Sequence, residues 1–381
     1  MKTYDLSYST CFSFFLILFS IISFGQNPIL SQHAKVSILT CGTGNESYSL
    51  FGHTAIRISD IENNLDIIYN YGAFDFNTPN FVAKFAKGDL QYFAVTNSYS
   101  NFISQYVYEN RSVYEQDLNL SLDLKQQLFD NLNTALASGD SYYTYKFIDK
   151  NCTSMVVNII NKTLGTKAIT KNIDTTATYR RILYPYFDNH FYEKLGTSII
   201  FGTKVDQIGD HIFLPLELME NLKLAKFKNQ NLLLNPTKRL LKFEKINEKS
   251  WWNNCYSYLI FLGLVIILNK KSINQVYFFI VGLIGILFVF LGFYSGHLEL
   301  ANNYNVLLFN PLLILSFFFY RKKQIKWIYN LSVFSLLLLI IYIFILINKI
   351  HFLIVLPLIV TNGYLLIKLA ILHKKRIPII I

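Results

Sequence analysis

The stretch FIDKNCTSMVVNIINKTLG, residues 147–165, runs a polar Asp149-Lys150-Asn151 loop straight into an amphipathic helical pattern whose first residue is Cys152. Gly165 supplies a helix stop. A thiol at a helix start meets unpaired amide donors and the positive end of the dipole, and both favour thiolate. By itself such a cysteine reads equally as a buried structural residue, since free cysteine is among the most buried residue types. A base elsewhere in the chain is needed to decide.

Upstream, strand and helix patterns alternate. Residues 34–41 (AKVSILTC) read as a short strand and Gly42-Thr43-Gly44-Asn45 as a turn, with no Gly-Lys-Ser/Thr following to make a phosphate-binding loop. Alternation from His53 to Ile58 predicts a strand with His53, Ala55 and Arg57 on one face. Residues 66–71 predict its hairpin partner, and 90–95 and 111–118 further strands. Ser121 caps a helix running to about Ala137, and 142–147 is a last strand pattern before Cys152. Beyond Gly165 the pattern is mostly helix and loop. The fold class expected is α+β, a small mainly antiparallel sheet with helices on it.

Of the seven histidines, His53 opens a strand directly after Phe51-Gly52, where a glycine lets the backbone approach something closely. His53 and Cys152 are the residue types that nucleophilic thiol chemistry needs: the imidazole takes the thiol proton and the thiolate attacks an acyl carbon. A third polar group should orient the imidazole. Asn70, Tyr71 and Asp75 are the candidates, with Asp75 preferred. No His/Cys/Asp/Glu cluster has metal-ligand spacing, and no cofactor is implied. A Cys41–Cys152 disulfide, the competing use of this thiol, would remove the nucleophile.

The composition divides the chain. Of 381 residues, 52% are hydrophobic and only 15% charged, too apolar for one soluble domain. Residues 1–25 fit a secretory signal peptide, with the apolar run Phe12 to Phe24 ending at Gly25. Residues 26–245 read as a globular domain exported by it. A membrane domain, residues 251–373, follows, with five candidate spans at about 252–269, 275–296, 305–320, 327–348 and 351–372. The formal charge of +11 is concentrated beside these runs, in Lys270-Lys271, Arg321-Lys322-Lys323 and Lys374-Lys375-Arg376. Such clusters orient spans and do not form a nucleic-acid patch. They fall after the first, third and fifth spans, which puts them on the cytoplasmic side and the globular domain outside. The outer segment SGHLELANNYN (295–305), with His297, is expected beneath that domain, either as an ordinary interfacial loop or as a substrate-positioning one.

LTCGTGNESYSLFGHTAIRI, IIYNYGAFDFNTPNF, YENRSVYEQ and DKNCTS, continued by TYRRILYPY, LGTSIIFGTKVDQ, FLPLELM and SGHLELANNYNVLLFNPL, resemble the Bacteroidetes-type Lnb lipoprotein N-acyltransferase family. The resemblance covers nearly the whole mature chain. It implies a circularly permuted papain-like domain, in which the histidine strand precedes the cysteine helix, followed by an all-α bundle of about five transmembrane helices. The order His53 then Cys152 fits that permutation, and Asn151-Cys152 is similar to the lecithin–retinol acyltransferase-like branch of those folds. His53 and Cys152 are then base and nucleophile.

The activity expected is transfer of an acyl chain from a phospholipid donor, through a Cys152 thioester, to the N-terminal amine of a diacylated lipoprotein acceptor. The place expected is the outer face of a bacterial cytoplasmic membrane. Arg57 and Arg111 are candidates for holding the phosphate headgroup, and His297 for contacting substrate. The alternatives are a membrane-tethered cysteine hydrolase of cell-wall peptide and a non-catalytic membrane assembly module. Five spans are far more than a tether needs, and a structural Cys152 would tolerate Cys152→Ser.

Overall fold

The alternating patterns on either side of Gly52 pair with each other. In the computed structural model, which describes residues 27–46, 48–244 and 250–374, strand β1 (Lys35–Cys41) runs antiparallel to β2 (His53–Asp60), with Cys41 opposite His53. The expected signal peptide lies outside the described residues, as do Lys375 and Arg376 of the last basic cluster. β3 (Leu65–Ala73) returns beside β2, and β4 (Gln91–Ser98) pairs with β3. β5 (Val113–Asp117) flanks β1. The two-residue β6 (Tyr143–Thr144) adds to β4. β7 (Lys226–Phe227) and β8 (Gln230–Asn231) form a separate hairpin, and β9 (Lys238–Leu241) closes the far edge beside β5. The order is β6-β4-β3-β2-β1-β5-β9 with every ladder antiparallel, so the domain is α+β as expected.

Both faces of this sheet are covered. Successive strand residues point to opposite sides, so Ile38, Ile56 and Tyr69 face one layer while Leu39, Ala55 and Ile68 face the other. The first layer is α3 (Leu122–Ser138) with α4 (Cys152–Leu164), through Leu128, Phe129, Val156 and Ile160. The second is α2 (Tyr99–Tyr108), through Phe102 and Tyr106. α2 lies between β4 and β5, and a short helix, α1 (Phe81–Lys87), between β3 and β4. Burying each aliphatic side chain contributes roughly 1.5–3 kcal/mol. The strand expected over 142–147 is cut to two residues. The chain there folds back instead: the Lys146 and Lys150 amides each donate to the other's carbonyl, at 2.9 and 3.0 Å. That small loop delivers Asn151 and Cys152 to the sheet.

After α4 come α5 (Tyr179–Leu183), α6 (Phe191–Ile200) and α7 (Pro215–Leu222). The apolar segments then all form helix, though not five equal spans. α9 (Lys271–Tyr294), α11 (Ile325–Leu346) and α12 (Phe352–Lys374) are long and apolar enough to cross a membrane. α8 (Cys255–Leu268) has 14 residues, about 21 Å of helix at 1.5 Å per residue, short of the ~30 Å hydrocarbon core. The third segment is bent by 51° between Leu298–Leu307 and Pro311–Arg321, the latter containing α10 (Ile314–Arg321). The break has a local cause: Pro311 lacks an amide donor and Asn310 restarts the helix by accepting from the Leu312 amide at 3.1 Å.

The sheet domain is fastened onto these helices. α6 packs Leu195, Phe191 and Ile199 against the helical core. The Asn303 amide donates to the carbonyls of Ile199 and Ile200 at 2.9 and 2.8 Å, and the Gly202 amide donates to Glu299 at 2.7 Å. Gly202 is a close approach of backbones, since a Cβ there would stand 2.0 Å from the Ala301 carbonyl oxygen. Buried Arg180 pairs with Asp206 at 2.7 Å, and Asp206 accepts from Tyr304 at 2.6 Å and from Lys349 at 2.9 Å.

Candidate active site

Asn151 explains why the cysteine helix starts where it does. Its Oδ1 accepts from the Thr153 and Ser154 amides at 3.0 and 3.1 Å, while Ser154 Oγ accepts from the Asn151 amide at 2.8 Å, a reciprocal cap. Its Nδ2 donates to the carbonyls of Phe147 and Phe213 at 2.8 and 2.9 Å. An aspartate could cap but could not make those two donations. Thr153 then ties α4 to the sheet, its hydroxyl 3.0 Å from that of Thr54 on β2.

This anchoring brings the half-buried Cys152 thiol beside His53 at the start of β2, where each side chain acts on the other's ionisation. Burial pushes the Cys152 thiol up, but the His53 charge, its hydrogen bond, the Thr54 amide and the Thr153 hydroxyl outweigh it and hold the thiol below its ordinary value. For His53, burial disfavours the cation. The Cys152 charge, the Cys152 hydrogen bond and Asn70 reverse that and raise it. Both shifts favour thiolate beside imidazolium.

His53 Nε2 lies 3.2 Å from Asn70 Oδ1, and Asn70 Nδ2 donates onward to Asn97 Oδ1 at 2.8 Å. The β2–β3 register sets Ala55 opposite Asn70, so Asn70 sits one step along from His53. Asp75, preferred above for orienting the imidazole, is not brought to it. The chain bulges between Tyr71 and Ala73, and Asp75 lies exposed beyond, accepting from the Asn77 amide at 2.8 Å. The bulge centres on Gly72, whose φ of +112° only glycine adopts without strain. A Cβ there would sit 3.6 Å from Cys152 Cβ, 4.0 Å from His53 Cε1 and 3.9 Å from the Tyr143 hydroxyl.

Tyr143 was not singled out by its sequence context. It is buried, its hydroxyl has no hydrogen-bond partner among the described residues, and it faces this same point. Burial, then the Cys152 charge, hold the phenol well above its ordinary value, so it stays a donor.

The remaining candidates go elsewhere. Arg57 binds Asp66 through Nε and Nη2, both at 2.8 Å, and Glu115 through Nη1 at 2.9 Å, with its guanidinium over Tyr99; no free fork is left for a phosphate. Arg111 donates to Gly42 at 2.9 Å and pairs with Glu109 at 2.7 Å. Its charge is felt at His53, where it opposes the imidazolium. His297 is buried under the domain, Nε2 3.0 Å from the Phe85 carbonyl and Nδ1 3.3 Å from Glu299, so it fastens the outer loop to α1. Cys41 and Cys152 are both free. Among the described residues no group of His, Cys, Asp or Glu is arranged to hold a metal.

An α+β domain carrying a cysteine–histidine pair and docked on membrane-length apolar helices defines a membrane protein with an extramembrane thiol site. Family models match both parts, the Lnb N-terminal periplasmic domain over residues 24–184 and the Lnb transmembrane domain over residues 268–376. The chain belongs to the Lnb family, a membrane protein whose Cys152 domain is periplasmic. No curated protein and no solved structure matches it.

Proposed function

We propose that this chain is a lipoprotein N-acyltransferase, with Cys152 as nucleophile, His53 as acid and base, and Asn70 in place of Asp75 as the group that holds the imidazole. The observation that carries the reading is Cys152 beside His53, with His53 Nε2 3.2 Å from Asn70 Oδ1, on a domain fastened to a membrane bundle. The order histidine strand, then cysteine helix, accords with a circularly permuted papain-like domain over 26–245. In the membrane domain over 251–373, a count of five crossings takes the bent segment as one and short α8, with the residues flanking it, as another. Exposed Trp251 and Trp252 at the start of α8 suit an interfacial belt. An odd number of crossings leaves the basic clusters in the cytoplasm and the catalytic domain outside a multi-pass protein of the bacterial inner membrane.

With Nε2 tied to Asn70, Nδ1 is the ring nitrogen that exchanges a proton with sulfur. The thiolate attacks an ester carbonyl of a phospholipid, and the charge on oxygen is met by the Tyr143 hydroxyl and the first amide of α4. The carbon–oxygen bond breaks, the glycerol oxygen takes the proton from His53, and a thioester and a lysophospholipid result. The α-amine of a diacylglyceryl-cysteine lipoprotein then attacks the thioester, His53 accepts the amine proton, and the Cys152 thiolate leaves. Both substrates are lipids held in a bilayer, which is why the site rides on membrane helices.

The test is mass spectrometry of lipoprotein N-termini from a host that lacks its own N-acylating enzyme and expresses this chain. Triacylated N-termini are expected. Diacyl forms alone, with the protein verified in the membrane, overturn the reading.

A further inference from the structure

No residue of α1 is buried. Val82 is 76% and Phe85 45% exposed, and Phe76, on the loop leading into the helix, is 74% exposed. The rings of Phe74, Phe76 and Phe81 pack on one another, with centroids 4.8 to 5.7 Å apart, and Phe74 leans on Tyr92. Scattered exposed apolar side chains are ordinary, whereas a run of them on one short segment marks an interface.

What covers this segment follows from where it is tied. The Phe85, Ala86 and Lys87 carbonyls accept from His297 Nε2 at 3.0 Å, Ser295 Oγ at 2.6 Å and the Gly296 amide at 2.7 Å. Those three donors follow directly on Tyr294, the last residue of the membrane-length helix α9. In the last turns of α9, Phe290, Phe293 and Tyr294 are exposed in turn, Phe293 at 91%. α1 is therefore pinned at the end of α9, the level at which a helix crossing a bilayer meets the headgroups. Exposed Lys84 suits the phosphates of that layer, while Lys87 pairs with Asp89. At its other end the segment runs back through Phe74 to Gly72, which abuts Cys152.

We propose that α1 and Phe76 are seated in the periplasm-facing leaflet of the bilayer, and that the Phe74–Phe76–Phe81 shelf is the path by which a phospholipid ester reaches Cys152. The seating stands independently; the delivery rests on the acyl-transfer reading. The test uses the full chain with Cys11, Cys152 and Cys255 replaced by serine, reconstituted in phosphatidylglycerol–phosphatidylethanolamine nanodiscs. An environment-sensitive fluorophore is placed at Val82→Cys, Phe85→Cys or, as a water-exposed reference, Lys167→Cys. Labels at 82 and 85 should be quenched by lipids spin-labelled along the acyl chain and shielded from aqueous iodide, the reverse of the label at 167. Iodide quenching of 82 and 85 as strong as that of 167 overturns the seating.

The second arm keeps Cys152 and introduces Val82→Asp with Phe85→Asp, with iodoacetamide alkylation of Cys152 reporting that the site is folded. Acylation of Cys152 from the same nanodiscs should slow by about tenfold or more. Wild-type acylation in that variant overturns the delivery path. Shielded labels in a protein whose Cys152 takes no acyl group from any phospholipid instead uphold the seating and count against acyl transfer itself.

Discussion

Cys41 lies directly across the β1–β2 ladder from His53, whereas Cys152 reaches the same imidazole from the start of a helix. Burial acts on both thiols in the same direction. At Cys41, packed with Leu39, Ala55 and Val113, burial outweighs the Tyr106 hydrogen bond and the Arg111 charge, and the thiol is pushed up to about 12. At Cys152 the His53 charge and hydrogen bond, with the Thr54 amide and Thr153 hydroxyl, outweigh burial and the thiol falls. A histidine next door on the ladder does not make a nucleophile. A shared proton and donors aimed at the sulfur do.

The most severe way to break this comparison is to exchange the two thiols' fates by mutation. Cys152→Ser should take lipoprotein acylation to background, whereas Cys41→Ala should cost packing alone, roughly 1 kcal/mol in thermal unfolding, and retain acylation. Next comes His53→Ala, expected to slow acyl transfer about 10²- to 10⁴-fold. Iodoacetamide rates against pH should separate its cause. In the wild type the lowered Cys152 and raised His53 bracket a window in which thiolate and imidazolium coexist. Alkylation therefore begins below the ordinary thiol range near pH 8.5, and acyl transfer declines at high pH as His53 loses its proton. In His53→Ala the onset of alkylation should move up to that range or above. An unmoved onset would dissolve the distinction between the two cysteines.

Smaller changes sharpen the same contrast. Tyr143→Phe should lower kcat about 10²-fold by removing an oxyanion donor, while leaving the alkylation profile in place. Asn70→Ala removes one hydrogen bond worth about 1 kcal/mol, a slowing of roughly fivefold, and should also shift the His53 limb of the profile downward. Asp75→Ala should do neither.

The predicted residues that the structure brings together are those whose signal is local. Cys152 announced itself by a polar cap before an amphipathic run, His53 by Gly52 and the alternation after it, and the apolar segments by composition. What sequence reading left open, misjudged or missed depends on how strands pair and on where buried side chains point. Choosing Asn70 over Asp75 requires the β2–β3 register and the bulge at Gly72. Arg57 looked available because Asp66 and Glu115, which occupy it, come from β3 beside it and from β5 on the far side of β1. Tyr143 is conspicuous only through an unpartnered hydroxyl, which no spacing rule displays. α2 escaped notice because it buries little beyond Phe102 and Tyr106 on an otherwise polar, aromatic stretch. In the membrane region hydropathy located all five helical segments, but Asn310-Pro311 broke one and the 14 residues of α8 fell short of a full span.

Cys152, and not Cys41, is the thiol proposed to carry the acyl group. Intact and peptide mass spectrometry of the purified full chain, acid-quenched after incubation with phospholipid vesicles and no acceptor, reads this directly. One acyl chain should appear on the peptide containing Cys152, be released by neutral hydroxylamine as a thioester, and vanish on addition of a diacylated lipoprotein. An acyl chain on Cys41 or Cys255, or a Cys152 peptide that stays unmodified while lysophospholipid accumulates, contradicts that assignment.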